Sequence, residues 1–159
     1  MGQTVEKGVF PVHNNDFEVL VEGKYGSDDA VWASPAEIEE ITISIENTTE
    51  TWNSFKEQGW QSALVTGKGA KFSLKGKRCV GDEANDLIAD KLLKSGQDAY
   101  ISARVKGADG KTIEWENMAC AVANDGKGGK ATDVGALEAE LTASGKPVEG
   151  IWSSDDASA

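Results

Sequence analysis

Residues Glu39–Asn47 read EEITISIEN. In an extended chain Ile41, Ile43 and Ile45 fall on one side and Thr42, Ser44 and Glu46 on the other. A period of two with β-branched residues at alternate positions is the pattern of a half-buried strand, and no helix face collects it. The pattern recurs on both sides of this stretch. Upstream, FEVLVEG sets Phe17, Val19 and Val21 against Glu18, Leu20 and Glu22. Downstream, ALVTGKGAKFSLKGKR carries Phe72 and Leu74 opposite Lys71, Ser73 and Lys75, with Gly67 and Gly69 as punctuation. AYISARVKG aligns Ala99, Ile101, Ala103 and Val105, and VGALEAELTASG aligns Leu137, Ala139 and Leu141 against Glu138, Glu140 and Thr142. Between these two, KTIEWENMACAVA follows an Asp109-Gly110 turn signal as a partner strand. Its alternation breaks around Trp115–Met118, as a β-bulge would make it.

One stretch does not alternate. GDEANDLIADKLLKSG, from Gly81 to Gly96, puts Ala84, Leu87, Ile88 and Leu92 on one helical stripe. Asp82 is placed as N-cap, Glu83 and Asp86 sit where the helix dipole favours acids, and Lys91 and Lys94 where it favours bases. Gly96 is placed to end the helix. Four turns at most do not stand alone in water, so the stripe must lie on a sheet and cover an open face or edge. Glu83, Asp86, Asp90 and Lys94 then point outward. The fold expected is mainly β with an α+β element: a sandwich or barrel of about seven strands, with one flanking helix near residues 82–95.

Two segments carry no pattern. KYGSDDAVWASPAE is rich in turn formers and reads as loop. The excursion at residues 46–62 is polar yet holds Trp52, Phe55 and Trp60, and reads either as a long hairpin or as an exposed inter-strand loop. Residues 1–15 form an irregular arm, 16–152 a single domain, and 153–159 a small, polar, flexible tail.

The chain has 159 residues and a formal net charge of −11. That length suits one domain with a real core. That charge repels nucleic-acid phosphates and anionic membranes, which argues against DNA or RNA binding. It serves solubility equally well, and it suits a surface that DNA must pass without sticking. Cys79 and Cys120 form no CxxC pair and read as reduced thiols rather than a disulfide. Met1–Asn15 lacks a basic start followed by an apolar block, and no apolar run reaches the ~20 residues that span a bilayer.

Residues that could carry chemistry are sparse. His13 is the only histidine and lies in the arm. Zinc ligation needs clustered Cys or His, which the chain lacks. NDGKGGKAT departs from a phosphate-binding loop in its glycine spacing and in Ala131 after Gly129-Lys130. Glu138 and Glu140 have the type for acid–base work, but alternate residues on a strand mark a wetted face. Five tryptophans (Trp32, Trp52, Trp60, Trp115 and Trp152) suit a sugar platform if they share a face, and core or interface packing if they do not. Trp60 and Trp115 sit in segments that read as half-buried. The expectation is a non-enzymatic chain with no cofactor and no metal.

Four stretches resemble the tail tube (major tail) proteins of tailed bacteriophages, in the forms found in phages and prophages of Gram-positive bacteria. They are KGVFPV (7–12), ETWNSFKEQGWQSALVTGK (50–68), LKGKRCVGDEANDLIADKL (74–92) and GGKATDVGALEAELTASGKPVEG (128–150). The third is the most specific, and the shared order spans about residues 8–151. The resemblance implies a subunit that forms homohexameric rings, with strands joined into one barrel around a lumen. The rings stack around a tape-measure protein, between baseplate or initiator proteins and a tail terminator. DNA passes through the lumen without specific binding. The location implied is the virion tail, assembled in the host bacterial cytoplasm, with no membrane. On this reading Glu138, Glu140 and Glu46 (beside Ser44) are candidates for the lumen wall, the solvent face being the alternative for each. Phe10, Trp52, Phe55 and Trp60 are candidates for contacts between rings. The other functions open are the tube of a contractile tail or tailocin, a tail terminator, or a carbohydrate-binding β-sandwich module.

Overall fold

The computed structural model describes residues 7–151, and all statements of structure below concern that span. It has eight strands: β1 (Asp16–Glu22), β2 (Val31–Ala33), β3 (Ile38–Asn53), β4 (Gln61–Lys77), β5 (Tyr100–Lys106), β6 (Lys111–Asp125), β7 (Ala136–Ser144) and β8 (Val148–Ile151). One helix, α1 (Glu83–Ala89), stands between β4 and β5. All strands belong to one antiparallel sheet in the order β2-β1-β5-β6-β7-β4-β3, with β8 paired to β6 in line with β7.

The expected sandwich or barrel is a single open sheet that rolls on itself. Three strands separate β1 from β4 in the sheet, which would place them about 19 Å apart if it were flat. Yet the rings of Phe17 on β1 and Phe72 on β4 lie 5.8 Å apart, and Trp115 on β6 packs edge-on against Phe72 at 5.1 Å. The rolled interior is filled by the predicted alternate residues Phe17, Val19, Phe72, Leu74, Ile101, Ala103, Leu137, Ala139 and Leu141, and by Met118 and Cys120 of β6, all of them buried. The bulge falls where the pattern breaks. Ile101 pairs with Met118 and Ala103 with Trp115, so Glu116 and Asn117 together oppose Ser102.

The two strands that no quoted stretch anticipates are short. β2 is three residues within a turn-rich segment, and β8 follows the Gly145-Lys146-Pro147 break, so neither offers a period long enough to read. The helix is shorter than expected. α1 ends at Ala89, continues as one 3-10 turn (Asp90–Leu93), and gives way at Lys94 to extended backbone. Gly96, at φ +61°, opens a separate 3-10 turn (Gly96–Ala99) instead of terminating α1. Asp82 caps α1 as expected, accepting from the Asn85 amide at 3.0 Å. Ala84 and Ile88 are fully buried, whereas Leu87 packs at the margin of the core.

Among the described residues Asn85 is the one buried polar side chain. Its Nδ2 donates to the carbonyls of Ala36 (3.0 Å) and Lys77 (3.1 Å), and its Oδ1 accepts from Cys79 N (3.1 Å) and Arg78 Nη1 (2.9 Å). Asp82 adds a bond from Ala36 N at 3.1 Å, and Arg78 pairs with Asp86 at 2.7 Å. The start of α1 thereby ties the entry of β3 to the exit of β4. Gly76 seals this corner, since a Cβ there would strike Glu37 O and the Ile38 backbone.

Candidate assembly surfaces

The segment 46–62 is the long hairpin, not a loop. β3 and β4 stay paired from Ile38↔Gly76 out to Asn53↔Gln61, with irregularities at Ile38/Glu40 and Thr48/Thr49. The β-branched run Thr48, Thr49 and Thr51 suits a strand as well as it suits a polar loop, which is why its composition hid the pairing. Beyond Lys71, β4 has no neighbour other than β3, because its pairing with β7 runs only from Lys71 to Lys77. Residues 45–70 therefore form a two-stranded ribbon standing off the rolled sheet. β3 lies at the end of the sheet order, so its far edge has no partner strand among the described residues.

The register places the candidate acids together. Glu40, Lys75, Glu138 and Asn124 form one cross-strand row; Thr42, Ser73, Glu140 and Ala121 form the next; Ser44, Lys71, Thr142 and Ala119 form a third. Glu46, opposite Gly69, continues the same face. Glu46, Glu138 and Glu140 are all exposed on the side away from the core. The face is small and polar, with acids interleaved by lysines: Lys71 Nζ lies 3.2 Å from Glu140, both about half exposed. At that exposure the ion pair adds little stability.

The core-side face of the ribbon differs from expectation. Ile41 packs on the core, but Ile43 is 49% and Ile45 47% exposed, although they flank the buried Phe72 and Ala70. The sheet ends at β3, and among the described residues nothing covers them fully. Val65, on the same side beside Thr49, is also exposed.

At the ribbon's end, Ser54–Trp60 folds into a turn closed on itself. Gln58 N donates to Phe55 O, Gly59 N to Ser54 O, Trp60 N to Glu57 O, and Asn53 Nδ2 to Gly59 O at 2.7 Å. Gln58 and Gly59 both take positive φ (54° and 83°) to complete it. Phe55 is fully exposed and Trp60 is 77% exposed, which corrects the expectation of a half-buried Trp60. Trp52, with Leu64 on the adjacent strand, shows on the acidic face of the ribbon. Trp52, Phe55 and Trp60 thus gather at one end. Phe10 sits apart, over the β5–β6 turn in a broad groove of about 1000 Å³ with Val105, Ile113 and Ile151.

Trp32 and Trp115 share no face with these. Trp115 is core. Trp32 lies under the Arg104 guanidinium, 4.4 Å from its ring, with Tyr25 edge-on. Arg104 bonds Glu18 at 2.8 Å, and Tyr25 donates to Glu114 at 3.1 Å. Partial burial and the Glu114 carboxylate raise the Tyr25 pKa. This cluster holds the short edge strand β2 by side chains. Trp152 lies outside the described residues. Cys79 and Cys120 are free thiols, and burial pushes that of Cys120 up to about 11. Among the described residues no group of three or more His, Cys, Asp or Glu is placed to hold a metal ion. His13 lies exposed beside the seam between β1 and β3.

No protein-family model matches this chain, and no curated protein matches its sequence. Solved structures do match it in fold. The tail chain of an empty gene transfer agent particle, refined with C6 symmetry, superposes with a TM-score of 0.66 at 12% identity, covering 88% of this chain and 98% of that one. The virion of a native gene transfer agent gives 0.63 at 14% identity, covering 89% and 99%. A sheath/tube terminator of an extracellular contractile injection system gives 0.56 at 14% identity, covering 91% and 98%.

Proposed function

We propose that this chain is a non-catalytic structural subunit of a phage-type tail. Copies join edge to edge into six-membered rings, and the rings stack into a tube through which DNA passes. The observation that carries the proposal is the sixteen-residue strand β3, whose far edge is unpaired. A free edge of that length invites pairing with another chain unless it is blunted, and a closed ring removes it for every copy at once. The fold likeness to tail and tube chains supports the same reading.

The face that carries Glu46, Glu138 and Glu140 forms the lumen wall. Across β7, β4 and β3 as far as Glu46 its residues are short or charged, so it stays wetted. Its surplus of carboxylates over Lys71 and Lys75 disfavours adhesion of phosphates. A tape-measure protein, an initiator or baseplate and a terminator are the partners that such a tube needs, and the virion tail, built in the host cytoplasm of a Gram-positive bacterium, is its place.

A second reading is favoured by the likeness to a tube terminator. A terminator forms a ring that caps and does not stack. Sedimentation of the concentrated protein, followed by negative-stain imaging, separates the two. The tube reading expects long pelletable polymers, and a terminator expects single rings. A chain that stays monomeric at every concentration would sink both and return the sugar-binding module to consideration.

A further inference from the structure

The ribbon carries a knob at its tip and a notch at its base. The notch is a groove of about 590 Å³ where the ribbon leaves the rolled sheet. It is lined by Ile45, Val65, Lys68 and Ala70 of the ribbon, by Trp115 and Ala143 of the sheet, and by Lys146, Pro147 and Glu149 after β7. The knob is the self-closed turn with Phe55 and Trp60 bare and Lys56 and Glu57 between them. Two exposed aromatics on a turn held by four hydrogen bonds, one of them through Gln58 in a strained left-handed conformation, are presented in fixed geometry. Such preorganisation lowers the ordering cost of docking.

From this juxtaposition we infer that the hairpin tip of one copy seats in the notch of a second copy, Phe55 and Trp60 covering Ile45 and Val65. The inference rests on the tube reading and names the receiving site for contacts along its axis. The tip cannot reach its own notch. From Ile45 to Asn53 the ribbon extends roughly 26 Å at ~3.3 Å per residue. The contact is therefore between copies displaced along the ribbon. It is heterologous, so it propagates instead of closing a pair. Charges match in the same arrangement, Glu57 meeting Lys146 or Lys68 and Lys56 meeting Glu149. Two aromatics cover about 150–250 Å² each, well short of the ~1,000 Å² of a stable pair. One contact alone is weak, and a ring offering several at once makes it hold.

The test is a disulfide trap in the full chain with Cys79→Ser removing the half-buried thiol. Glu57→Cys with Lys146→Cys joins tip and notch and keeps both aromatics; Glu57→Cys with Lys130→Cys, on an equally exposed loop, is the control. A disulfide needs Cα atoms within ~7 Å, so within one chain neither pair closes across the ribbon. Docking predicts a ladder of covalent oligomers under mild oxidation, roughly tenfold above the control as a matched site raises effective concentration. No ladder, or one equal to the control, overturns it. Hollow tubes without the ladder would sink the docking and keep the tube reading. A ladder without tubes would keep the docking and sink the tube reading.

Discussion

Asn85 shows how one side chain sets the geometry on which the surfaces depend. Its four hydrogen bonds join α1 to the two ends of the ribbon hairpin. Asn85→Ala leaves two carbonyls and an amide unpartnered in the interior, and is expected to cost about 3 kcal/mol in chemical denaturation. Cys120 makes a prediction in pH. Its folded pKa of about 11 lies above the ordinary 9.0, so its contribution to stability is full below pH 9 and is lost as pH rises through 11. A gap of about two units corresponds to 2–3 kcal/mol, in order of magnitude. The stability difference between wild type and Cys120→Ala should therefore shrink between pH 9 and 11; a constant difference would mean that the thiol is not buried as described.

At the scale of elements, α1 and the ribbon are opposites. α1 is short but anchored: Ile88 is fully buried, and Ile88→Ala should cost about 2–4 kcal/mol. Leu87→Asp, the obvious probe from the apolar stripe, acts on a marginal position and should be milder than Ile88→Asp. The ribbon is long but unsupported, and two strands alone are marginal in water. Amides of residues 45–53 and 61–70 should exchange much faster than those of β5 and β7 in the isolated chain, and should gain protection on assembly. Equal protection in both states would contradict an assembly role for the ribbon. This contrast also shows what was legible in the sequence. Strict alternation in β1, β5 and β7 named their buried residues correctly, because each has a core on one side only. The same alternation in β3 set Ile43 and Ile45 beside the half-buried Ile41, because period alone does not tell a covered face from an exposed one. Glu46, Glu138 and Glu140 were legible as wetted residues. Their shared face depends on register between strands far apart in sequence, which no local pattern contains. The aromatic tip was visible as residues but not as a place, since Phe55 and Trp60 meet only through the turn that brings them round.

For the whole molecule, the proposed role makes the face with Glu138 and Glu140 a lumen wall. Replacing Glu138 and Glu140 with lysine turns that wall basic. Assembled particles of the double variant should then retain DNA in co-sedimentation, with retention falling as salt rises. Wild-type particles should not retain it, and equal retention would place these residues elsewhere. The most direct measurement is a helical reconstruction of the assembled protein by cryo-electron microscopy. The account predicts a hollow tube in which the far edge of β3 pairs with a neighbouring copy, with Glu46, Glu138 and Glu140 on the lumen surface. A polymer without a lumen, or a tube with that face turned outward and β3 unpaired, would contradict it.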